Sequence, residues 1–185
     1  MPRGKRTAAF CLCCFLIGGS CIGLSANATT ITRSTDNDPV ASGYSYDCYN
    51  MTYYSGMPGS YNNDMRLSPV ISGNNAYYSW FYPGITVNKL SCTVKLDVYL
   101  NNANFTDPKA RYYYEINPIE GTSGVMANIG EINQNFAKPG WNTLVKTVSS
   151  YDGRTRIGSR QVSVSASNEP NKQLGADGLI VTVTY

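Results

Sequence analysis

Histidine is absent from all 185 residues. Its absence removes Ser-His-Asp and Cys-His catalysis and any His-ligated metal. Net charge is missing over most of the chain as well. Arg3, Lys5 and Arg6 lie within the first six positions and no acid precedes Asp36, so from residue 29 onward 12 basic and 12 acidic residues balance. General attraction to nucleic acid or to an anionic membrane is thereby disfavoured, and no nucleic-acid partner is expected. Long apolar runs are lacking too. The longest, Ala8–Ile17, is far short of the roughly 20 residues a membrane span requires. No stretch repeats apolar residues at i, i+3, i+4 and i+7 over three turns, so helices are not expected. Six cysteines suggest a disulfide framework, but Cys11, Cys13, Cys14 and Cys21 all sit near the start, which leaves Cys48 and Cys92.

Residues 1–28 read as a secretory signal peptide. A short basic stretch precedes the apolar segment, and Ala26-Asn27-Ala28 is a small-x-small cleavage site. A secreted, extracellular protein with no membrane span after cleavage follows from this reading. Residues 29–43, polar and rich in Thr, Ser and Asp, read as a flexible linker. Residues 44–185 are the size of one domain with one core. In an oxidising compartment the remaining thiols, Cys48 and Cys92, are expected to pair. Cys92 is in phase with Val94, Leu96, Val98 and Leu100, which places it on the buried face of its strand.

The mature chain alternates with period two almost throughout. Strands are expected over 44–54, 76–82, 90–100, 111–116, 128–136, 142–149, 161–166 and 179–185, separated by turn signals such as Pro83-Gly84 and Lys138-Pro139-Gly140. About eight antiparallel strands at this spacing give an all-β fold, a two-sheet β-sandwich of jelly-roll type. Alternation puts Tyr112, Tyr114 and Ile116 inside and turns Arg111, Tyr113 and Glu115 outward. Leu179, Val181 and Val183 share one face of the last strand. Trp141, after Pro139-Gly140, reads as a core anchor at a strand start, whereas Trp80 fits either core or surface.

From Tyr77 onward the order of features resembles the golvesin C-terminal-like domain, also found at the end of xanthan-lyase-like enzymes and similar to galactose-binding-like jelly rolls. Ala76-Tyr77-Tyr78-Ser79-Trp80 resembles its early aromatic strand. Leu96-Asp97-Val98-Tyr99-Leu100 and Ala110-Arg111-Tyr112-Tyr113-Tyr114 resemble two central strands. Ile132-Asn133-Gln134-Asn135 with Gly140-Trp141-Asn142-Thr143-Leu144 is similar to its Q…G-x-W-x-x-L segment. Gln161–Ser165 with Gly175-Ala176-Asp177-Gly178-Leu179 is similar to its closing pieces. Val145 stands where that pattern has glycine, and Gly178 where it has alanine. The resemblance implies a non-catalytic module of secreted proteins that binds polysaccharide, and it supplies no ligand residues.

Catalysis without histidine would need two carboxylates converging in a cleft, for example in a glycosidase. Most of the acids sit beside turns or face outward on strands, so no catalytic residue is assigned and no enzyme is expected. The 15 tyrosines, all after residue 28, are the chain's most unusual feature. Aromatic faces suit the apolar C–H surfaces of sugar rings, with amides and hydroxyls fixing orientation. Tyr53, Tyr54, Tyr61, Trp80, Tyr82, Arg111 and Tyr113 are the candidate carbohydrate contacts, and a glycan is the expected partner. The alternative role for the Arg111-Tyr113-Glu115 face is to meet a cell-surface protein. No cofactor is required, although Asp177 is a candidate Ca²⁺ ligand in the loop before the last strand.

Overall fold

A computed structural model describes residues 28–37, 46–70, 75–101, 104–116, 124–153, 156–167 and 169–185. Apart from Ala28, the expected signal peptide lies outside the described residues. The described residues form twelve strands: β1 Thr30–Thr35, β2 Tyr46–Tyr49, β3 Thr52–Ser55, β4 Asp64–Leu67, β5 Tyr77–Val87, β6 Ser91–Leu100, β7 Ala110–Ile116, β8 Val125–Ile132, β9 Gly140–Ser149, β10 Ile157–Ser165, β11 Gly175–Ala176 and β12 Leu179–Thr184. A single 3₁₀ turn spans Tyr61–Asn63. No helix among the described residues is long and apolar enough to cross a membrane.

Every recorded strand pairing is antiparallel. One sheet has the order β1-β12-β6-β9, the second β2-β5-β10-β7-β8, and a small third sheet β11-β4-β3. Successive strands switch between the two large sheets, β5 to β6, β6 to β7, β8 to β9 and β9 to β10, which makes the molecule a jelly-roll-like β-sandwich. The alternation read from the sequence is the alternation of burial. Cys92, Val94, Leu96, Val98 and Leu100 are buried along β6, as are Val162 and Val164 on β10 and Leu179, Val181 and Val183 on β12. The aromatic rings of Tyr78, Trp80, Tyr82, Tyr112 and Tyr114 fill the space between the sheets. Two of their hydroxyls are bonded to side chains within the core, while that of Tyr114 has no hydrogen-bond partner among the described residues. The Tyr82 hydroxyl pairs with Ser159 Oγ, and the Tyr112 hydroxyl accepts from Gln134 Nε2 at 3.0 Å.

Several expectations are corrected. Residues 30–35, read as linker, form β1, paired with β12 from Thr30↔Thr184 to Thr35↔Leu179. The inward positions of β1 are Ile31, Arg33 and Thr35, only one of them aliphatic, so hydrophobic alternation is too weak to reveal the strand. Arg33 is held there by its Nε donating to the carbonyl of Pro83 at 3.3 Å. The single strand expected over 44–54 is two, β2 and β3, broken where Asn50 takes φ 58°. Pro83-Gly84 does not end a strand. β5 runs through it, and the pairing with β10 shifts register between Ser159 and Gln161, a bulge at which the missing proline N–H costs no ladder bond. Glu115, expected to face solvent, is buried and its Oε2 accepts from Arg160 N at 2.9 Å.

The expected Cys48–Cys92 bridge is not formed: both thiols are free. Cys48 sits on β2, the edge strand of the five-stranded sheet, opposite Tyr78 of β5. Cys92 belongs to the other sheet and lies close enough to Tyr114 of β7 to influence its ionisation. Between β2 and β7 run β5 and β10, an offset of three strand spacings, about 14 Å. A disulfide tolerates a Cα separation of about 7 Å at most. Burial also pushes the Cys92 thiol up to about 11, which leaves it unreactive.

Candidate functional site

The sequence candidates divide once placed. Trp80 and Tyr82, 1% and 3% exposed, point inward from β5 and are part of the core rather than of a surface. Trp80 Nε1 is spent on the carbonyl of Asp177 at 2.9 Å. Arg111 and Tyr113 face outward on β7, where Arg111 Nε pairs with Glu131 Oε1 at 3.1 Å across to β8. With Glu115 buried, the Arg111-Tyr113-Glu115 row expected to meet a protein partner loses its acid. Tyr53 and Tyr54 are partly exposed neighbours on β3 and therefore project to opposite faces. Tyr61 joins a cluster of rings open to solvent, and its partners are two residues that sequence reasoning did not propose.

Those partners are Tyr99 and Trp141. They stand directly opposite one another where β6 pairs with β9. On β6 the inward residues Val98 and Leu100 bracket Tyr99 and turn it outward. Register then carries Trp141 to the same outward face, contrary to its reading as a core anchor. The indole is 42% exposed. Tyr99 and Trp141 meet edge to face with centroids 5.2 Å apart at 85°. Tyr61 closes the triangle at 5.3 Å from Trp141 and 5.7 Å from Tyr99. Edge-to-face packing of this kind adds about 0.5–1.5 kcal/mol per pair beyond area burial and fixes each ring's plane.

Tyr61 comes from the 3₁₀ turn, and one corner of the chain ties that turn to the sheet. Asp177 is fully buried. Its Oδ2 accepts from the backbone N–H of Tyr61 at 3.1 Å and its Oδ1 from that of Gly178 at 2.9 Å. The carbonyl of Gly178 in turn accepts from Tyr99 N at 2.8 Å. Asp36 Oδ2 accepts from Asn62 Nδ2 at 2.6 Å and holds the same turn from its other side. A Cβ on Gly178 would stand 2.7 Å from Tyr61 Cδ1, so only glycine lets the ring seat.

Asp36, Asp64 and Asp177 are all buried, and their carboxylate oxygens lie within 4.8 Å of one another. Burial pushes the Asp177 carboxyl up to about 8, with the charges of Asp36 and Asp64 adding to the rise and the two backbone N–H bonds opposing it. The expected Ca²⁺ ligand thus has two more oxygen donors beside it. Three carboxylates are the right chemistry for a hard cation and about half the ligands that calcium takes. Of the contacts described, those of Asp177 and Asp36 position the turn that carries Tyr61.

Below the rings the outward face of the four-stranded sheet is polar and regular. Rows across it read Ser34–Ile180–Asp97–Thr143, Thr32–Thr182–Lys95–Val145 and Thr30–Thr184–Thr93–Thr147. Lys95 Nζ pairs with Asp97 Oδ2 at 2.7 Å, and Thr143 donates to Asp97 Oδ1. The face therefore offers hydroxyls, a carboxylate and an ammonium beside an aromatic rim.

No protein family and no curated protein matches the chain. Solved structures with a similar arrangement of chain include the C-terminal family 6 carbohydrate-binding module of LamC, a marine laminarinase from Zobellia galactanivorans. The identity is 14% and the TM-score 0.41, over 82% of this chain and 99% of that one. A family 35 carbohydrate-binding module from Clostridium thermocellum is 12% identical with a TM-score of 0.43, over 74% and 90%. The mannan-recognising module TmCBM27 is 12% identical with a TM-score of 0.40, over 86% and 97%.

Proposed function

We propose that the chain is a secreted, non-catalytic module that binds a glycan on the outward face of the β1-β12-β6-β9 sheet, with Trp141 and Tyr99 as the stacking platform. The observation that carries this reading is the exposed indole of Trp141, locked edge to face by Tyr99 and Tyr61 at the rim of a polar sheet face. Three rings clustered at one open rim form the kind of exposed apolar patch that marks a ligand surface. A pyranose ring suits the place, because its C–H face lies on an aromatic plane while its hydroxyls reach polar side chains. Asp97 and Thr143, about 7 Å along their strands from Tyr99 and Trp141, are the first of those side chains, and the Lys95 row follows about 7 Å further on.

The two tryptophans make the test direct. Trp80 is buried and Trp141 exposed, so quenching by acrylamide reports on Trp141. Titration with neutral polysaccharides (a β-glucan, a xylan and a mannan) is expected to shield Trp141 from acrylamide for at least one of them. Trp141→Ala should remove the binding and lower the melting temperature by only a few degrees, the cost of its two ring contacts. Unaltered quenching with all three, or undiminished binding by Trp141→Ala, would overturn the reading.

A further inference from the structure

A second place on the molecule carries unspent recognition chemistry. Arg66, on β4, is only 5% exposed. Its guanidinium lies 4.1 Å over the ring of Tyr46 and 5.3 Å over that of Tyr53, with Tyr78 at 5.5 Å. Tyr53 is its register partner on β3. Tyr46 belongs to β2, the edge of the five-stranded sheet, where it stacks on Tyr78. Arg66 thus sits between two sheet edges, walled by two tyrosines that are each 38% exposed. Its Nε donates to the carbonyl of Asn37 at 3.2 Å, and the Tyr78 hydroxyl lies beside it. Among the described residues, no carboxylate makes an ion pair with it; the pairs formed are Lys95–Asp97 and Arg111–Glu131.

A buried cation without a counter-charge is costly. Ring faces offset part of that cost and leave the rest. Lysine could not replace arginine here, since only a planar guanidinium fits between two rings and still presents its edge as a donor fork. That fork matches an oxyanion with two oxygens in line. The tyrosine walls match the sugar ring that would carry it.

We propose that Arg66, framed by Tyr46 and Tyr53, is a binding site for an oxyanion carried on a sugar chain, the carboxylate of a uronic acid or a sulfate ester. The site is separate from the Trp141 platform and extends the glycan reading to acidic polysaccharide. Because residues 29–185 carry no net charge, affinity for a polyanion cannot come from the overall field and must come from a local cation.

The test uses the mature chain and four probes: polygalacturonate, the same polymer fully methyl-esterified, dextran sulfate and plain dextran. Polygalacturonate is expected to bind and its ester to bind at least about tenfold more weakly, the fold-change of losing charged hydrogen bonds. Arg66→Lys should show the same loss while binding of the neutral polysaccharide at Trp141 persists. Binding of dextran sulfate alone, lost in Arg66→Lys, would identify the oxyanion as sulfate. If Arg66→Lys fails to fold, the ester comparison on the unaltered chain and Tyr53→Leu, on an exposed edge strand, decide instead. Equal binding of acid and ester together with no preference for dextran sulfate over dextran overturns the proposal. So does anion binding that survives in a folded Arg66→Lys or in Tyr53→Leu. A failure at Trp141 with Arg66-dependent binding intact would sink only the platform.

Discussion

Each of the two tryptophans had a local signal, and the stronger signal belonged to the wrong one. Trp80 shares a strand face with Tyr78 and Tyr82, and that face is buried because it is the side of β5 turned into the core between the two sheets. Trp141 follows a glycine at a strand start, and its direction depends on register with β6, a pairing forty residues away in sequence. The phase of Tyr99 was readable, since Val98 and Leu100 bracket it. The meeting of Tyr99, Trp141 and Tyr61 was not, because it needs a sheet pairing and a 3₁₀ turn held by buried carboxylates. Gly178 is where that dependence is sharpest. A methyl there would meet Tyr61 Cδ1 at 2.7 Å and Cγ at 2.9 Å, atoms near the base of the ring that cannot swing aside cheaply. Gly178→Ala is expected to lower stability by about 1–3 kcal/mol, the usual range for overpacking, measured by urea denaturation. It should also weaken glycan binding, because Tyr61 buttresses Trp141. A folded Gly178→Ala chain with unchanged affinity would mean that Tyr61 does not set the platform.

At the scale of elements, strands with apolar residues at every second position are legible: β6, β7 and β12 lie within one residue of their expected bounds, whereas β10 begins four residues before its own. The unreadable ones are stabilised by something other than their own apolar residues. β11 is two residues long. β4 is buried throughout as Asp64-Met65-Arg66-Leu67 and shows no polar-out alternation, because it lies between β11 and β3 with the sandwich edge against it. β1 alternates threonine and serine with Ile31, Arg33 and Thr35, and its worth lies in covering an edge. It hydrogen-bonds along β12, the neighbour of central β6. An uncovered strand of that length, carrying Leu179, Val181 and Val183, is a template for pairing with another chain. Deletion through Thr35 is therefore expected to lower the melting temperature by several degrees and to raise the aggregated fraction in light scattering. A truncated chain that stays monomeric and equally stable would show that β1 is dispensable.

At the scale of the whole molecule, the absence of histidine has a thermodynamic consequence. Between about pH 5 and 8 few side chains change charge in any protein, and histidine is normally the chief of them. Asp177 enters that range here. Unfolded, its carboxyl titrates near 3.8; folded, burial holds it protonated until the pH approaches about 8. Within that window the native state binds more protons than the unfolded state, so stability falls as pH rises. Most proteins whose carboxylates are depressed by salt bridges lose stability toward acid instead. The buried tyrosines Tyr78, Tyr82, Tyr112 and Tyr114, all raised by burial, affect stability only near pH 10 and above. The mature chain in a chelating buffer, with no divalent cation to neutralise the three carboxylates, is thus expected to melt several degrees lower at pH 8 than at pH 5. Asp177→Asn, which cannot ionise, should flatten the dependence and bring the pH 8 value close to the pH 5 one. The comparison also bears on the platform, because the carboxyl that loses its proton is the one holding Tyr61 N and Gly178 N. The ionised carboxylate accepts from both N–H groups more strongly than the acid does, so glycan affinity should stay level between pH 5 and pH 8 wherever the chain remains folded. A melting temperature that rises from pH 5 to pH 8 would place the Asp177 proton elsewhere and remove the acid corner as the feature that ties the interior to the binding face.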